Sequence, residues 1–276
     1  MFRGLVKTVD AEPDRISRRR RARQIVRARL ERLEDLSIGK LVPSSITLLA
    51  LASGVTAIRF ALNSEWTSAV AFIIAAMILD MLDGRAARML GADSRFGAQL
   101  DSLADLVSFG VAPGIILYMW SLWRIGERGW IAALIFCACS AIRLARFNVE
   151  SVRDEGATKG NPYFTGLPTP AAACMVLLPL LVSFQWDSAL VIQPWVSVAF
   201  IALTGMLMVS RLPTPSIKYM KLQRQHRILA GIVFAALAAA LIAWPWATMT
   251  AGLLIYVATI PFAIYAHHPR TAARTP

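Results

Sequence analysis

The sequence predicts an all-α polytopic membrane protein, and this fold class is supported by the composition, the length of the apolar runs and the distribution of charge. Hydrophobic residues make up 57% of the 276 residues, and the mean hydropathy is +0.55. The apolar runs are close to the ~20 residues that a helix needs to cross a bilayer. Because lipid offers no hydrogen bonds to an exposed backbone, each run is expected to form a helix.

Eight apolar runs are predicted to span the membrane, with the longer connections on one side. They occupy residues 43–63, 66–84, 97–121, 130–147, 168–184, 194–210, 226–244 and 248–267. If the N-terminus is cytoplasmic, 26 of the 29 Lys and Arg residues fall in cytoplasmic segments, as the positive-inside rule requires. The charge distribution therefore predicts a multi-pass protein of the cell (inner or plasma) membrane with both termini in the cytoplasm.

The chain is accordingly divided into a basic segment at 1–41, a transmembrane domain at 42–267 and a cytoplasmic tail at 268–276. Residues 12–36 are typical of a basic juxtamembrane helix, which either lies on the anionic cytoplasmic leaflet or serves only as a topology anchor. The net charge of +12 also raises the question of nucleic acid as a partner. No aromatic side chain is interleaved in this segment to stack on bases, so nucleic-acid binding is not expected.

A cluster of acids lies between the second and third predicted spans, in the stretch DMLDGRAARMLGADSRFGAQLDSLAD at residues 80–105. Asp80 and Asp83 are three residues apart, and Asp101 and Asp105 are four apart, so each pair shares one helix face. The hairpin between the two helices is short and should bring both pairs together at the cytoplasmic edge of the membrane. Four carboxylates there would repel one another, and hard divalent ions such as Mg²⁺ or Mn²⁺ are the natural compensation.

The residues around the acids indicate a phosphate-bearing substrate. Two metal ions about 3.5–4 Å apart suit displacement at phosphorus, because they clamp the entering and leaving oxygens. Gly84 and Gly97 leave space beside the acids for a nucleotide to approach the backbone. Arg88 is placed to pair with a carboxylate or with a diphosphate. The residues alone thus predict a two-metal site for a lipidic substrate that carries phosphate.

The same stretch resembles the full signature of the CDP-alcohol phosphotransferases. Every fixed position of that signature is present, at Asp80, Asp83, Gly84, Ala87, Arg88, Gly97, Asp101 and Asp105. The resemblance implies transfer of a phosphatidyl group from a CDP-linked lipid to an alcohol, with release of CMP. It also implies that the four acids hold the metals and that Asp105 is in addition the general base. The residues that it implies for binding the CDP-linked lipid are Asp80, Gly84, Ala87, Arg88 and Gly97.

Three further segments resemble the phosphatidylserine synthase branch of that family, namely SAIRLARFNV at 140–149, FTGLPTPAA at 164–172 and SRLPTPSIK at 210–218. This likeness implies CDP-diacylglycerol and L-serine as substrates, membrane lipids as the surroundings and a homodimer as the assembly.

The acceptor pocket is predicted near the inner end of the fourth span. Arg143 and Arg146 are three residues apart and share one helix face there. One of them is expected to hold the serine carboxylate or a phosphate, with Asn148 as a polar partner. The alternative is that both arginines extend toward the lipid headgroups.

Two other functions compete with serine transfer. The first is the same chemistry with glycerol 3-phosphate or an inositol phosphate as the acceptor, which would need an additional phosphate pocket. The second is a cation transporter that uses intramembrane acids as its ion path. A transporter would carry such acids near the middle of the membrane, often in broken helices, whereas here all four are predicted at one edge.

Overall fold

Helices make up nearly all of the structure, a computed structural model that describes residues 38–92, 94–154, 164–165, 167–186, 190–210, 213–214, 235–237, 239–255 and 258–259. The helices are α1 (Ile38–Leu62), α2 (Trp66–Leu90), α3 (Arg95–Asp105), α4 (Ala112–Trp120), α5 (Glu127–Asp154), α6 (Thr169–Val176), α7 (Leu178–Ser183), α8 (Pro194–Val209) and α9 (Pro245–Ile255). A π-helical turn, Leu106–Val111, joins α3 to α4, and a 3₁₀ turn, Leu122–Ile125, follows α4. Two short strands, β1 (Phe164–Thr165) and β2 (Pro213–Thr214), pair antiparallel with Phe164 opposite Thr214.

The length and composition of the helices agree with a membrane protein. Four helical stretches are long and apolar enough to cross a bilayer, at Leu41–Leu62, Trp66–Leu90, Arg95–Trp120 and Glu127–Glu150. The third combines α3, the π turn and α4. Large apolar side chains such as Leu49, Val55 and Ile135 are more than half exposed on the outside of these helices, as expected where lipid replaces water.

The later predicted spans are shorter or fall partly outside the described residues. The run predicted at 168–184 forms two helices, α6 and α7, joined at Leu177. Pro179 explains the break, because it lacks an N–H and its ring clashes with the carbonyl four residues earlier. The sixth prediction corresponds to α8. About half of the seventh and eighth runs lies outside the described residues. The same is true of residues 1–37 of the basic segment predicted at 1–41, and of the tail at 268–276.

The first two long helices form a tight hairpin. Residues 63–65 make the turn, in which the N–H of Ser64 donates to the Ala61 carbonyl at 2.9 Å. Ala57, Ala61 and Ala69 are fully buried, and such small side chains let membrane helices approach closely. As a result α1 packs along α2 and can bring side chains to the C-terminal half of α2.

The turn between α2 and α3 reverses the chain within four residues. Gly91 adopts a left-handed conformation with φ of +57°, which ends α2, and the N–H of Ala92 donates back to the Ala87 carbonyl at 2.9 Å. Ser94 then caps α3, since its Oγ accepts from the N–H of Gly97 at 3.0 Å. The C-terminal end of α2 and the N-terminal end of α3 are therefore neighbours.

The π-helical turn is held from two sides. The Ser108 hydroxyl donates to the Ala50 carbonyl of α1 at 3.2 Å, and a Cβ on Gly54 would lie only 2.7 Å from the Ser108 Cα. On the other side, a Cβ on Gly110 would lie 2.7 Å from the Ser140 hydroxyl of α5. Glycine at these two positions allows α1 and α5 to close on the backbone that immediately follows Asp105.

The tryptophans mark one end of the helix bundle. All eight lie at or beside the connections that are remote from the α2–α3 turn, at Trp66, Trp120, Trp123, Trp130, Trp186, Trp195, Trp244 and Trp246. Trp246 packs edge-on against Phe184 at 5.1 Å, which places the start of α9 beside the end of α7. Tryptophan concentrates at membrane–water interfaces, so this end of the bundle is expected to lie at one surface of the bilayer.

Candidate active site

Three of the predicted acids come together on the parts of α2 and α3 that flank the turn between these helices. One carboxylate oxygen each from Asp80, Asp101 and Asp105 lies within 4.8 Å of the others. Asp101 and Asp105 are one turn apart on α3, and α1 packs against both α2 and α3. All three side chains are partly buried. The structure therefore forms the carboxylate cluster that the spacing of the acids predicts.

Asp83 lies beside this cluster and has a partner of its own. Its side chain is buried, and its Oδ2 accepts a hydrogen bond of 2.6 Å from the Thr47 hydroxyl of α1. Asp83 is near enough to repel Asp80, Asp101 and Asp105 electrostatically. It is consequently at the edge of the site, held by α1, whereas the other three acids face one another.

The donor set fits a hard divalent cation. Carboxylate oxygens are the ligands that Mg²⁺ and Mn²⁺ prefer, and several of them converge here without a nitrogen or sulfur ligand among the described residues. Partly buried carboxylates at this separation repel one another strongly unless a cation compensates them. Asp80, Asp101 and Asp105 are thus a suitable group to bind a metal ion.

The two signature glycines have different surroundings. A Cβ on Gly84 would lie 3.6 Å from Nη1 of Arg88, so the Arg88 guanidinium folds back over Gly84. A Cβ on Gly97 would lie 3.1 Å from Ser94 Oγ, the oxygen that caps α3. The absence of a side chain at residue 97 therefore has a local structural reason, which is to keep that cap in place. Ala87 is partly buried and Arg88 is exposed at the end of α2.

Arg143 approaches the acid cluster from α5. It is buried, its Nε donates to the Leu167 carbonyl at 2.6 Å, and its guanidinium lies 5.6 Å from the centre of the Phe147 ring. Arg143 is also close enough to Asp105 for the two opposite charges to attract one another. This position differs from that of a side chain that extends toward the headgroups.

Arg146 has a structural role that the sequence does not reveal. Its Nη1 donates to the carbonyl of Val209 at 2.8 Å. Val209 is the last residue of α8, where helix carbonyls lack partners within the helix and a cation is favourable. Arg146 thus ties α5 to the end of α8.

Asn148 is connected directly to α3. Its Oδ1 accepts a hydrogen bond from the Ser102 hydroxyl at 3.0 Å, next to Asp101. The antiparallel pairing of β1 with β2 joins the two segments that follow α5 and α8. Two of the segments that resemble the phosphatidylserine synthase branch, at 164–172 and 210–218, are therefore joined to one another.

Several residues of the site were missed in the sequence. Ser94 had a detectable signal, because a serine just before a helix is a common cap. Thr47, Ser102 and Ser108 had none, because each makes its contact with a different helix. The hydrogen-bond partner of such a hydroxyl lies on another helix and can be identified only from the packed structure.

The chain belongs to the CDP-alcohol phosphatidyltransferase family, whose family model matches residues 40–209. Among curated relatives, it is 38% identical over 252 residues to the CDP-diacylglycerol–serine O-phosphatidyltransferase of Mycobacterium leprae, covering 91% of this chain and 81% of the relative. It is 36% identical over 182 residues to the protein of that name from Helicobacter pylori, covering 66% of this chain and 74% of the relative. A third, from Methanocaldococcus jannaschii, is 38% identical over 183 residues, covering 65% and 77%. The resemblance inferred from the acid motif is confirmed.

Proposed function

We propose that this protein transfers the phosphatidyl group of CDP-diacylglycerol to the hydroxyl of L-serine, which yields phosphatidylserine and CMP. The observation that carries the proposal is the cluster of Asp80, Asp101 and Asp105, formed by the family's signature in a membrane-embedded helix pair. Serine as the acceptor is supported by the relatives, which are serine O-phosphatidyltransferases by name and align with up to 91% of this chain.

The four acids are proposed to hold two divalent ions, Mg²⁺ or Mn²⁺, with Asp80, Asp83, Asp101 and Asp105 as ligands. When bound, such ions neutralise the diphosphate and the charge that develops on the departing CMP. Gly84, Ala87, Arg88 and Gly97 are proposed to form the CDP pocket together with Asp80. Arg88 supports this role because its guanidinium is exposed beside Gly84, where a diphosphate is able to reach it.

Asp105 is proposed to be the general base. It takes the proton from the serine hydroxyl as the oxygen attacks the phosphorus attached to diacylglycerol. Asp105 follows Asp101 by one helical turn and lies about 6 Å further along the helix toward the membrane interior. A headgroup alcohol would meet the lipid phosphate at that depth. The π-helical turn that begins at Leu106 fixes the backbone behind this carboxylate.

Arg143 is proposed to hold the serine carboxylate. Of the two candidate arginines, Arg143 is the one next to the proposed base, whereas Arg146 is engaged at the end of α8. A guanidinium beside Asp105 would orient the serine with its hydroxyl toward the base. Asn148 is proposed to line the same pocket, supported by its contact with Ser102.

We further propose eight spans, cytoplasmic termini and an active site that faces the cytoplasm in the cell membrane. The support is the asymmetry of the bundle. Arg85, Arg88 and Arg95 lie near the acids, whereas all eight tryptophans lie at the other end. The same proposal includes the division into segments 1–41, 42–267 and 268–276, a membrane-surface role for the first segment and a homodimer. These parts rest on sequence pattern and family resemblance.

The acceptor is tested directly by CMP release from CDP-diacylglycerol. Purified protein in lipid nanodiscs with Mn²⁺ should release CMP when L-serine is added. It should release far less with glycerol 3-phosphate, an inositol phosphate or no acceptor. CMP release with glycerol 3-phosphate but not serine would contradict serine transfer. Mn²⁺ uptake into proteoliposomes with no CMP release from any acceptor would instead favour a transporter.

The proposal that Asp105 is the general base predicts that Asp105→Asn and Asp83→Asn impair the enzyme in different ways. Asp105→Asn should still bind CDP-diacylglycerol but lose on the order of 10²–10⁴ in kcat, because the hydroxyl proton has no acceptor. Excess metal should not restore the rate. Asp83→Asn should weaken metal and nucleotide binding together, and excess metal should recover part of its activity by mass action. A near-normal kcat for Asp105→Asn in saturating metal would show that another group takes the proton.

The proposed acceptor pocket predicts that substitution of Arg143 and substitution of Arg146 have different effects on the serine KM. Arg143→Leu removes a charged hydrogen bond to the serine carboxylate, worth roughly 1.5–3 kcal/mol, so the serine KM should rise about 10- to 150-fold. The KM for CDP-diacylglycerol should change little. Arg146→Leu is the matched control, which should lower thermal stability and leave both KM values near wild type. Equal, small KM changes in both variants would remove Arg143 from the pocket.

A further inference from the structure

Thr47, on α1, contacts Asp83, one of the acids of the site. It is buried, with 4% of its surface exposed, and Asp83 is buried to a similar degree at 5%. Their oxygens are 2.6 Å apart, although the residues are 36 positions apart in the chain. The contact crosses the tight α1–α2 hairpin.

The Thr47 hydroxyl has two possible acceptors and only one hydrogen. Its Oγ1 lies 3.0 Å from the Pro43 carbonyl one turn earlier, as well as 2.6 Å from Asp83. An ionised carboxylate only accepts hydrogen bonds, so a metal-binding Asp83 requires the hydroxyl hydrogen to point toward it. A hydrogen bond with an ionised acceptor is also the stronger of the two.

Thr56 shows what a threonine on this helix does without such a partner. Its hydroxyl donates to the Ala52 carbonyl one turn earlier at 2.6 Å, and the residue is only partly buried. This bond within one helix is common for threonine in apolar helices. Thr47 can likewise donate to the carbonyl one turn earlier, but its position against α2 also brings its hydroxyl within hydrogen-bond distance of Asp83.

We propose that Thr47 is a positioning residue that fixes the Asp83 carboxylate for metal binding. With its Oδ2 engaged by the hydroxyl, the Asp83 carboxylate is held from α1 beside the site. Asp83 is the signature acid that lies outside the group formed by the other three, so its orientation depends on α1 rather than on those carboxylates. Partners that orient a metal ligand in this way typically change metal affinity 10- to 100-fold. This inference rests on the metal site of the proposed function.

The test is Mn²⁺ affinity without any substrate, measured by electron paramagnetic resonance on full-length protein in nanodiscs. Thr47→Val keeps the shape and removes the hydroxyl, so it should weaken Mn²⁺ binding 10- to 100-fold; Thr47→Ala should agree. Thr47→Ser keeps the hydroxyl and should stay within about threefold of wild type. Thr56→Val is the matched control and should bind Mn²⁺ like wild type.

A double-mutant cycle isolates the contact. In an Asp83→Asn background, Thr47→Val should cause little further loss of Mn²⁺ affinity, because the carboxylate it would position is gone. Unchanged Mn²⁺ affinity in Thr47→Val, or equal losses in Thr47→Ser and Thr47→Val, would overturn the inference. It would also be overturned if Thr47→Val and Thr47→Ala fail to fold while Thr47→Ser folds, since the hydroxyl would then be structural.

The outcome is separable from that of the proposed function. If wild type makes phosphatidylserine and Thr47→Val binds Mn²⁺ normally, only the role of Thr47 fails. If Thr47→Val loses Mn²⁺ but wild type makes no phosphatidylserine, the positioning role stands and the reaction is wrong.

Discussion

The mutual repulsion of carboxylates at the edge of a bilayer is the constraint on which the rest of this structure depends. Asp80, Asp101 and Asp105 lie within 4.8 Å of one another, and Asp83 is buried beside them. Such an arrangement is unfavourable unless cations compensate it, and it persists here because α1 packs against both α2 and α3 and holds their side chains in place. The glycines against the π-helical turn and the cap at Ser94 serve that packing.

Two surrounding helices, α1 and α5, contribute polar groups to this end of the bundle. From α1, Thr47 reaches Asp83; from α5, Arg143 brings a positive charge to Asp105, and Asn148 contacts Ser102. The acids alone would accommodate many phosphate esters. A buried guanidinium next to the proposed base is the feature that suits an acceptor with its own carboxylate, such as serine.

The site could be predicted from the sequence because its main determinants are local. Spacings of three and four residues put Asp80 with Asp83 and Asp101 with Asp105, and a short connection leaves little freedom for the helix ends. Two contacts could not be predicted, because each joins distant parts of the chain. The hydrogen bond from Thr47 to Asp83 joins residues 36 positions apart, and that from Arg146 to Val209 joins residues 63 positions apart. The division of α6 from α7 was missed although Pro179 signals it, because the hydrophobicity of the run outweighed a single proline.

The most direct test of this account is the binding of Mn²⁺ to the carboxylate cluster in the absence of substrate. Equilibrium titration of wild type in nanodiscs should show saturable Mn²⁺ binding. The combined variant Asp80→Asn, Asp101→Asn and Asp105→Asn should lose it, because the amide side chains neither carry the charge nor bind the ion comparably. Glu127→Gln, at an exposed acid on the far end of the bundle, should bind like wild type. Absence of Mn²⁺ binding in wild type, or equal binding in the combined variant, would contradict the account.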